Sequence, residues 1–111
     1  MDSKTENTAK RFGLLEKIEK LEKELRNIDR LSAIDFDLDG FYDNIRQVII
    51  VAKYDIPANT EKYFEVRKKF KQDVIGVAKN NGLSRTEDRI EDYGEHFYFV
   101  FQCNKEWNLI A

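Results

Sequence analysis

Apolar residues between positions 10 and 31 recur in alternating steps of four and three, and this spacing constrains the fold more than any other feature of the chain. It predicts an amphipathic helix with coiled-coil spacing. We expect the helix either to pack on a sheet of its own chain or to pair with its copy in another subunit. The second arrangement would make the protein a homo-oligomer. The predicted oligomer-interface residues are Leu14, Ile18, Leu21, Leu25 and Ile28.

The chain has 111 residues, which is room for one domain. The predicted organisation is a flexible N-terminus at 1–9, a long amphipathic helix at 10–31 and an α+β core at 33–111. At about 1.5 Å per residue the helix would be roughly 33 Å long, which exceeds the width of a small sheet. This length favours a partner subunit over packing within one chain.

The rest of the chain alternates between strand and helix patterns. Ile34, Phe36 and Leu38 alternate with aspartates, which is typical of a strand with one wet face. A β-branched run at 45–54 and an aromatic run at 96–103 predict strands covered on both faces. Between them, the segment that follows Pro57 has apolar residues at helical spacing and ends at an Asn-Asn-Gly stop. The order α-β-β-α-β-β predicts an α+β fold, a small antiparallel sheet with two helices.

The C-terminal apolar residues and the single cysteine are expected to serve the core. Trp107, Leu109 and Ile110 carry too much apolar surface for a free tail, so we expect them to pack onto the domain. Cys103 ends the aromatic strand, where a small buried residue is more typical than a nucleophile.

The charge balance limits the classes of partner. Charged residues make up 36% of the chain, but 19 basic and 21 acidic side chains leave a net charge of −2, which argues against a globally basic nucleic-acid binder. The polar N-terminus and the lack of a long apolar segment predict a cytoplasmic protein with no membrane partner. One cysteine and one histidine give no zinc cluster, so the sequence predicts no metal and no cofactor.

The run Ala33-Ile34-Asp35-Phe36-Asp37-Leu38-Asp39-Gly40 resembles the first motif of the haloacid-dehalogenase phosphatases. The resemblance implies a Mg²⁺-dependent phosphatase with Asp37 as nucleophile and Asp39 as acid/base. It covers about eight residues, and that family has Thr or Val where this chain has Phe41. The family also needs a large doubly wound domain with later motifs, for which 111 residues leave little room. The alternative is that the aspartates line the wet face of an edge strand.

Positive charge is concentrated in the second predicted helix. Residues 58–81 contain six basic and three acidic side chains, a net of +3. Such a helix could touch phosphates, although lysines also simply solvate the outer face of an amphipathic helix. The residues of this basic face are Lys62, Arg67, Lys68, Lys69 and Lys71.

A second set of basic residues suggests a small-ligand site. Arg85 and Arg89 are four positions apart on a predicted strand, so they would share a face. With Arg46 and Tyr98 they could clamp a nucleotide or phosphate by bidentate hydrogen bonds and stacking, in a pocket between subunits. Cross-strand pairing of these arginines with acidic neighbours is the alternative.

No complete catalytic set is present, so the sequence favours a non-enzymatic intracellular binding or regulatory protein that self-assembles through its N-terminal helix. Small size and dense charge are typical of accessory proteins of phages and mobile elements, including inhibitors of host defence factors. On this hypothesis the partner is a host protein or nucleoprotein. Sequestration of a nucleotide or phosphate at a subunit interface is the first alternative, and the phosphatase is the second.

Overall fold

The computed structural model describes the backbone of residues 3–11, 13–41, 44–92, 96–103 and 107, and side chains within these ranges except at 39–41, 44 and 85–92. Within these ranges, three helices and four strands form an α+β fold with an antiparallel sheet, which confirms the predicted class. The predicted two-helix order α-β-β-α-β-β is wrong, because the N-terminal region contains two helices. The elements are α1 Ser3–Arg11, α2 Leu15–Leu25, β1 Leu31–Phe41, β2 Asn44–Tyr54, α3 Tyr63–Asn80, β3 Leu83–Asp92 and β4 His96–Cys103.

Gly13 divides the N-terminal region into two helices. Its φ of 69° lies in the left-handed region, where glycine has no Cβ penalty. The Gly13 amide donates to the Lys10 carbonyl and the Leu14 amide to the Ala9 carbonyl, which is the Schellman arrangement at a helix C-terminus. Leu14 and Ala9 are both fully buried, as the hydrophobic contact of that motif requires.

The boundaries predicted for this region are therefore corrected. Residues 10–31 are not one long helix, since α1 ends at Arg11 and α2 ends at Leu25. Ile28 lies beyond α2, so the coiled-coil spacing is not carried by a single helix. The segment expected to be flexible, 1–9, contributes most of α1 from Ser3 onward.

The four strands run in the order β1-β2-β4-β3, with every neighbouring pair antiparallel. One row across the sheet joins Phe36, Ile50, Phe99 and Ile90. The pairing shifts register near both ends of β1 and again in β3 between Arg85 and Ile90. β1 and β3 are thus the two edge strands, and β4 lies between β2 and β3.

The three helices and one face of the sheet enclose the core. Alternate residues of the strands, such as Phe36 and Ile50, are buried on this face, while Asp35 and Asp37 on the opposite face are exposed. Ile49 and Val51 are half-buried on the opposite face, so β2 is less fully covered on both sides than its sequence predicts. The largest fully buried side chains are Trp107, Phe70, Phe99, Phe101, Leu14, Ile18, Leu21, Leu25, Ile45, Ile50, Leu83 and Val48.

Trp107 confirms the expectation that the C-terminal apolar residues pack onto the domain, whereas Leu109 and Ile110 lie outside the described residues. In the part of the chain that the structure describes, no helix combines the length and apolar character needed to cross a membrane.

Candidate interaction surface

The stripe predicted as an oligomer interface lies in the core of the single chain. Leu14, Ile18, Leu21 and Leu25 are all fully buried without a second subunit, and Ile28 is half-buried against the same core. A side chain with no accessible surface has none to offer a partner chain. The spacing of four and three therefore serves packing within the chain.

Two members of the predicted ligand site, Arg46 and Tyr98, lie far apart on the sheet. Arg46 is exposed and lies next to Gln47, which pairs with Gln102 at the far end of β4. Tyr98 is half-buried and lies four positions before Gln102. Arg46 comes one residue before Gln47, so five residues separate the two along the strands, or roughly 17 Å at about 3.3 Å per residue, and they do not share a pocket.

The other two members, Arg85 and Arg89, lie in β3, where the structure describes only their backbone. The shared face predicted for them depends on regular alternation along the strand. Arg85 pairs with Phe101 and Ile90 pairs with Phe99. An advance of five residues along β3 therefore matches an advance of only two residues along β4, which marks an irregularity in β3. Regular alternation is therefore not kept between the two arginines.

The Asp-x-Asp-Gly motif lies in the last residues of an edge strand. β1 continues to Phe41 and pairs with β2 as an antiparallel hairpin partner. Asp37 is exposed on the open face of the sheet, and the Asp39 side chain lies outside the described residues. Among the described residues no group of three or more His, Cys, Asp or Glu side chains could hold a metal ion. Of the two carboxylates that the resemblance assigns to catalysis, the described one therefore lies on an exposed strand face.

Cys103 is half-buried, and burial raises the pKa of its thiol to about 12. The thiolate is the reactive form, so a raised pKa makes this cysteine unreactive near neutral pH. This agrees with the expectation of a packing residue.

At pH 8 we expect Cys103 in the folded protein to react with iodoacetamide roughly a thousandfold more slowly than in urea, because the thiolate fraction falls tenfold for each unit of pKa. Folding raises this pKa, so the stabilising effect of the neutral thiol is present below pH 9 and is lost as the pH rises toward 12. Alkylation followed by intact-mass spectrometry measures the rates. Equal rates in the folded and unfolded chains would contradict the burial of the thiol.

Two cations of the predicted basic face are held on aromatic rings. The Arg67 guanidinium carbon lies 5.1 Å from the Phe97 ring centroid and 5.8 Å from that of Tyr54, and its Nε donates to the Tyr54 hydroxyl over 3.2 Å. The Lys71 Nζ lies 5.7 Å from the same Phe97 centroid. Both distances to Phe97 are within cation–π range. These cations anchor one flank of α3 to the sheet.

The other three residues of the basic face point into solvent. Lys62, Lys68 and Lys69 are exposed. Lys69 forms an ion pair with Asp73 over 2.8 Å, and this hydrogen bond raises the pKa of the lysine. Lys62 is the residue before α3 and takes a left-handed conformation, with a φ of 57°. Of the five cations, Arg67 and Lys71 pack on an aromatic ring and Lys69 is paired with Asp73. Lys62 and Lys68 are exposed.

Phe64 is the feature that sequence reasoning missed. Its side chain is 77% exposed, and no other large apolar side chain in the described part of the chain is comparably exposed. The Tyr63 ring contacts it edge-on, with centroids 5.3 Å apart. The signal was present in the sequence, because the apolar stripe of this helix runs through Tyr63, Val66 and Phe70 and leaves Phe64 about 100° away from it.

Phe64 shares a flank of α3 with cations. Lys68 and Lys71 follow it at four and seven positions, which places all three on one side of the helix. An open groove of about 460 Å³ near the start of α3 is lined by Glu61, Lys62, Glu65, Val66 and Lys69, and it lies on another side of the helix from Phe64. We call the exposed residues Phe64, Lys62 and Lys68 the Phe64 surface.

Neither the known protein families nor the curated proteins include one that this chain matches.

Proposed function

We propose that the chain is a non-enzymatic binding protein that acts on a protein partner through the Phe64 surface. The observation that carries the proposal is the 77% exposure of Phe64 in a chain whose other large apolar side chains, among those described, are at least partly covered. Aromatic residues dominate the binding energy of protein interfaces when they enter a pocket of the partner. Full burial of one such side chain contributes about 1.5–3 kcal/mol.

The surroundings of Phe64 support a partner of defined chemistry. The edge-on contact with Tyr63 limits the orientations of the ring, which lowers the entropic cost of docking. Lys68 is exposed, carries positive charge and lies on the same flank of the helix as the ring, whereas the exposed carboxylate of Glu65 lies about 100° around the helix. The expected binding site on the partner is an apolar pocket with carboxylates at its rim, because charge complementarity at the rim steers association.

A protein fits these observations better than a nucleic acid. Single-stranded nucleic acids are bound in grooves that combine several aromatic platforms with a continuous track of cations. Here Phe64 is the one highly exposed aromatic ring among the described residues, while Lys69 is paired with Asp73 and Arg67 is stacked on Phe97. β3, which contacts α3, also carries four acidic residues between 87 and 92. The wider hypothesis, that this chain is an accessory protein of a phage or mobile element and that its partner is a host factor, is part of this proposal.

Self-assembly through the N-terminal helix receives no support from the packing of its apolar stripe. A homo-oligomer would therefore need a different surface. The proposed binding function does not depend on assembly.

The test is a quantitative comparison of the Phe64→Ala variant with the wild-type chain. Each is immobilised and exposed to a lysate of the cells in which the protein is made, and captured proteins are quantified by mass spectrometry. We expect the captured amount of one partner protein to be about tenfold lower, or lower still, with Phe64→Ala than with the wild type, as for an interface hot spot. The Lys20→Ala variant, on the exposed face of α2, is the matched control and is expected to capture the partner as the wild type does.

Two results would contradict the proposal. One is an unchanged set of captured proteins with Phe64→Ala, provided that its circular dichroism matches that of the wild type. The other is loss of all capture after nuclease treatment, which would assign the surface to a nucleic acid instead.

A further inference from the structure

The outer edge of β1 is a second surface, distinct from the Phe64 surface. β1 ends the order of described strands, so one side of it has no strand neighbour within the described residues. α1 lies against this side, where the Thr5 hydroxyl donates to the Phe36 carbonyl over 2.7 Å in a buried contact. In an antiparallel strand the backbone groups of successive residues alternate in direction. The amide and carbonyl groups of Ile34 and Leu38 therefore point outward with those of Phe36.

α1 is held on this edge by little buried surface. The residues it buries are Thr5 and Ala9, whereas α2 buries three large aliphatic side chains. Its nine residues are also fewer than the roughly 12–15 that a helix needs to be stable alone. Elements with few buried apolar contacts open more readily than the rest of a domain. We therefore expect α1 to detach from the edge of β1 more readily than the sheet unfolds.

The charges beside this edge determine what can replace α1. Asp35 and Asp37 are exposed at alternate positions on the open face of the sheet, and Asp39 continues the alternation in sequence. If β1 paired antiparallel with β1 of a second copy about Asp37, carboxylates would lie directly opposite one another. Like charges in that position are destabilising, and opposite charges are stabilising. The aspartates thus disfavour a second copy and favour a basic strand.

The geometry points to strand addition at β1: an extended segment of a partner protein, with lysine or arginine at every second position, displaces α1 and pairs with the outward backbone groups of Ile34, Phe36 and Leu38. Backbone hydrogen bonds supply the affinity in this mode of recognition, and side chains at alternate positions supply the specificity. The inference does not rest on Phe64. The aspartates have two roles, since they oppose self-pairing and select the partner.

The probe is a fluorescein-labelled nine-residue peptide in which lysine alternates with valine, and the matched probe has glutamate in place of lysine. Binding to the full chain is measured by fluorescence anisotropy at low salt. We expect the lysine peptide to bind about threefold to tenfold more tightly than the glutamate peptide, which corresponds to two cross-strand ion pairs. Amide hydrogen exchange with bound lysine peptide should show new protection at Ile34, Phe36 and Leu38.

Two sets of variants test the two parts of the inference. Asp35→Asn combined with Asp37→Asn should remove the preference for the lysine peptide, and Asp55→Asn, at another exposed carboxylate, should keep it. Thr5→Ala removes the hydroxyl that bonds to Phe36, so the lysine peptide should bind about fivefold more tightly. Thr5→Ser, which retains a hydroxyl, and Thr8→Ala, on the same helix, should bind as the wild type does.

Equal binding of the two peptides, or no detectable binding of either at millimolar concentration, would overturn the proposal. Protection at β3 instead of β1 would also overturn it, because the other edge strand would then be the site. A Thr5→Ala variant with unchanged affinity would show that α1 does not have to leave.

Discussion

Replacing Leu21 by alanine is expected to lower the free energy of unfolding by about 2–5 kcal/mol. The Leu21 side chain is fully buried in the core, so its truncation leaves a cavity as well as losing the transfer free energy of the removed groups. A domain of this size is stable by only about 5–15 kcal/mol, so the variant would lose a large share of its stability. Urea denaturation followed by circular dichroism measures the change.

The same variant distinguishes a core residue from an interface residue. If the stripe joined two subunits, unfolding of the wild type would depend on protein concentration, and Leu21→Ala would dissociate the oligomer before unfolding it. We expect the denaturation midpoint of Leu21→Ala to be lowered equally at 2 μM and 200 μM chain, roughly the range over which weak oligomers dissociate. Lys20→Ala, at the exposed neighbouring position, is the control and should change stability by less than about 0.5 kcal/mol.

The sequence predicts the fold class and several element boundaries because those depend on local patterns. β4 occupies the residues predicted from its aromatic run, 96–103. α3 ends at the Asn-Asn-Gly stop, where Gly82 has a φ of 82°. The sequence predicts helical spacing from Pro57 onward, but residues 57–60 form a turn in which the Thr60 amide donates to the Pro57 carbonyl, and α3 begins later at Tyr63.

The N-terminal region shows where local patterns are ambiguous. Apolar steps of four and three are produced equally by a coiled-coil seam and by a helix that covers a sheet, so spacing alone could not distinguish them. Gly13 resolves part of the ambiguity, since a left-handed glycine ends a helix. The sequence could not show that α1 would then turn to lie on β1, because that contact joins Thr5 to Phe36 across the chain.

The candidate sites depended on tertiary placement, and the sequence predicted them less well. Arg46 and Tyr98 were grouped by chemistry, but strand order and register separate them. Phe64 is not predicted by the apolar stripe of α3, because a stripe is defined by the residues that repeat at helical spacing and Phe64 lies outside it. Exposure of a single aromatic residue is a property of the folded surface, and helical spacing gives only an indirect indication of it.

Trp107 is expected to contribute as much to stability as any single side chain described. It is fully buried, and its indole Nε1 donates to the Asn81 carbonyl over 2.7 Å at the end of α3. Asn81 in turn donates through its amide nitrogen to Glu24 of α2 and to the Val77 carbonyl. The Lys17 Nζ lies 6.0 Å from the indole centroid. Trp107 therefore joins the C-terminal segment to two helices.

Trp107→Ala should lower the free energy of unfolding by about 3–5 kcal/mol, and Trp107→Phe by less, because the phenyl ring still fills much of the site while the Asn81 carbonyl loses its indole donor. Urea denaturation followed by circular dichroism compares both variants with the wild type. Phe64→Ala is the matched control, since it truncates an aromatic ring that is 77% exposed and should change stability by less than about 0.5 kcal/mol. A loss below about 1 kcal/mol in Trp107→Ala would contradict the burial of the indole. Trp107→Ala and Phe64→Ala together separate two roles of aromatic residues in this chain, core packing and partner binding. A Phe64→Ala variant that is as stable as the wild type but no longer binds its partner has lost binding alone.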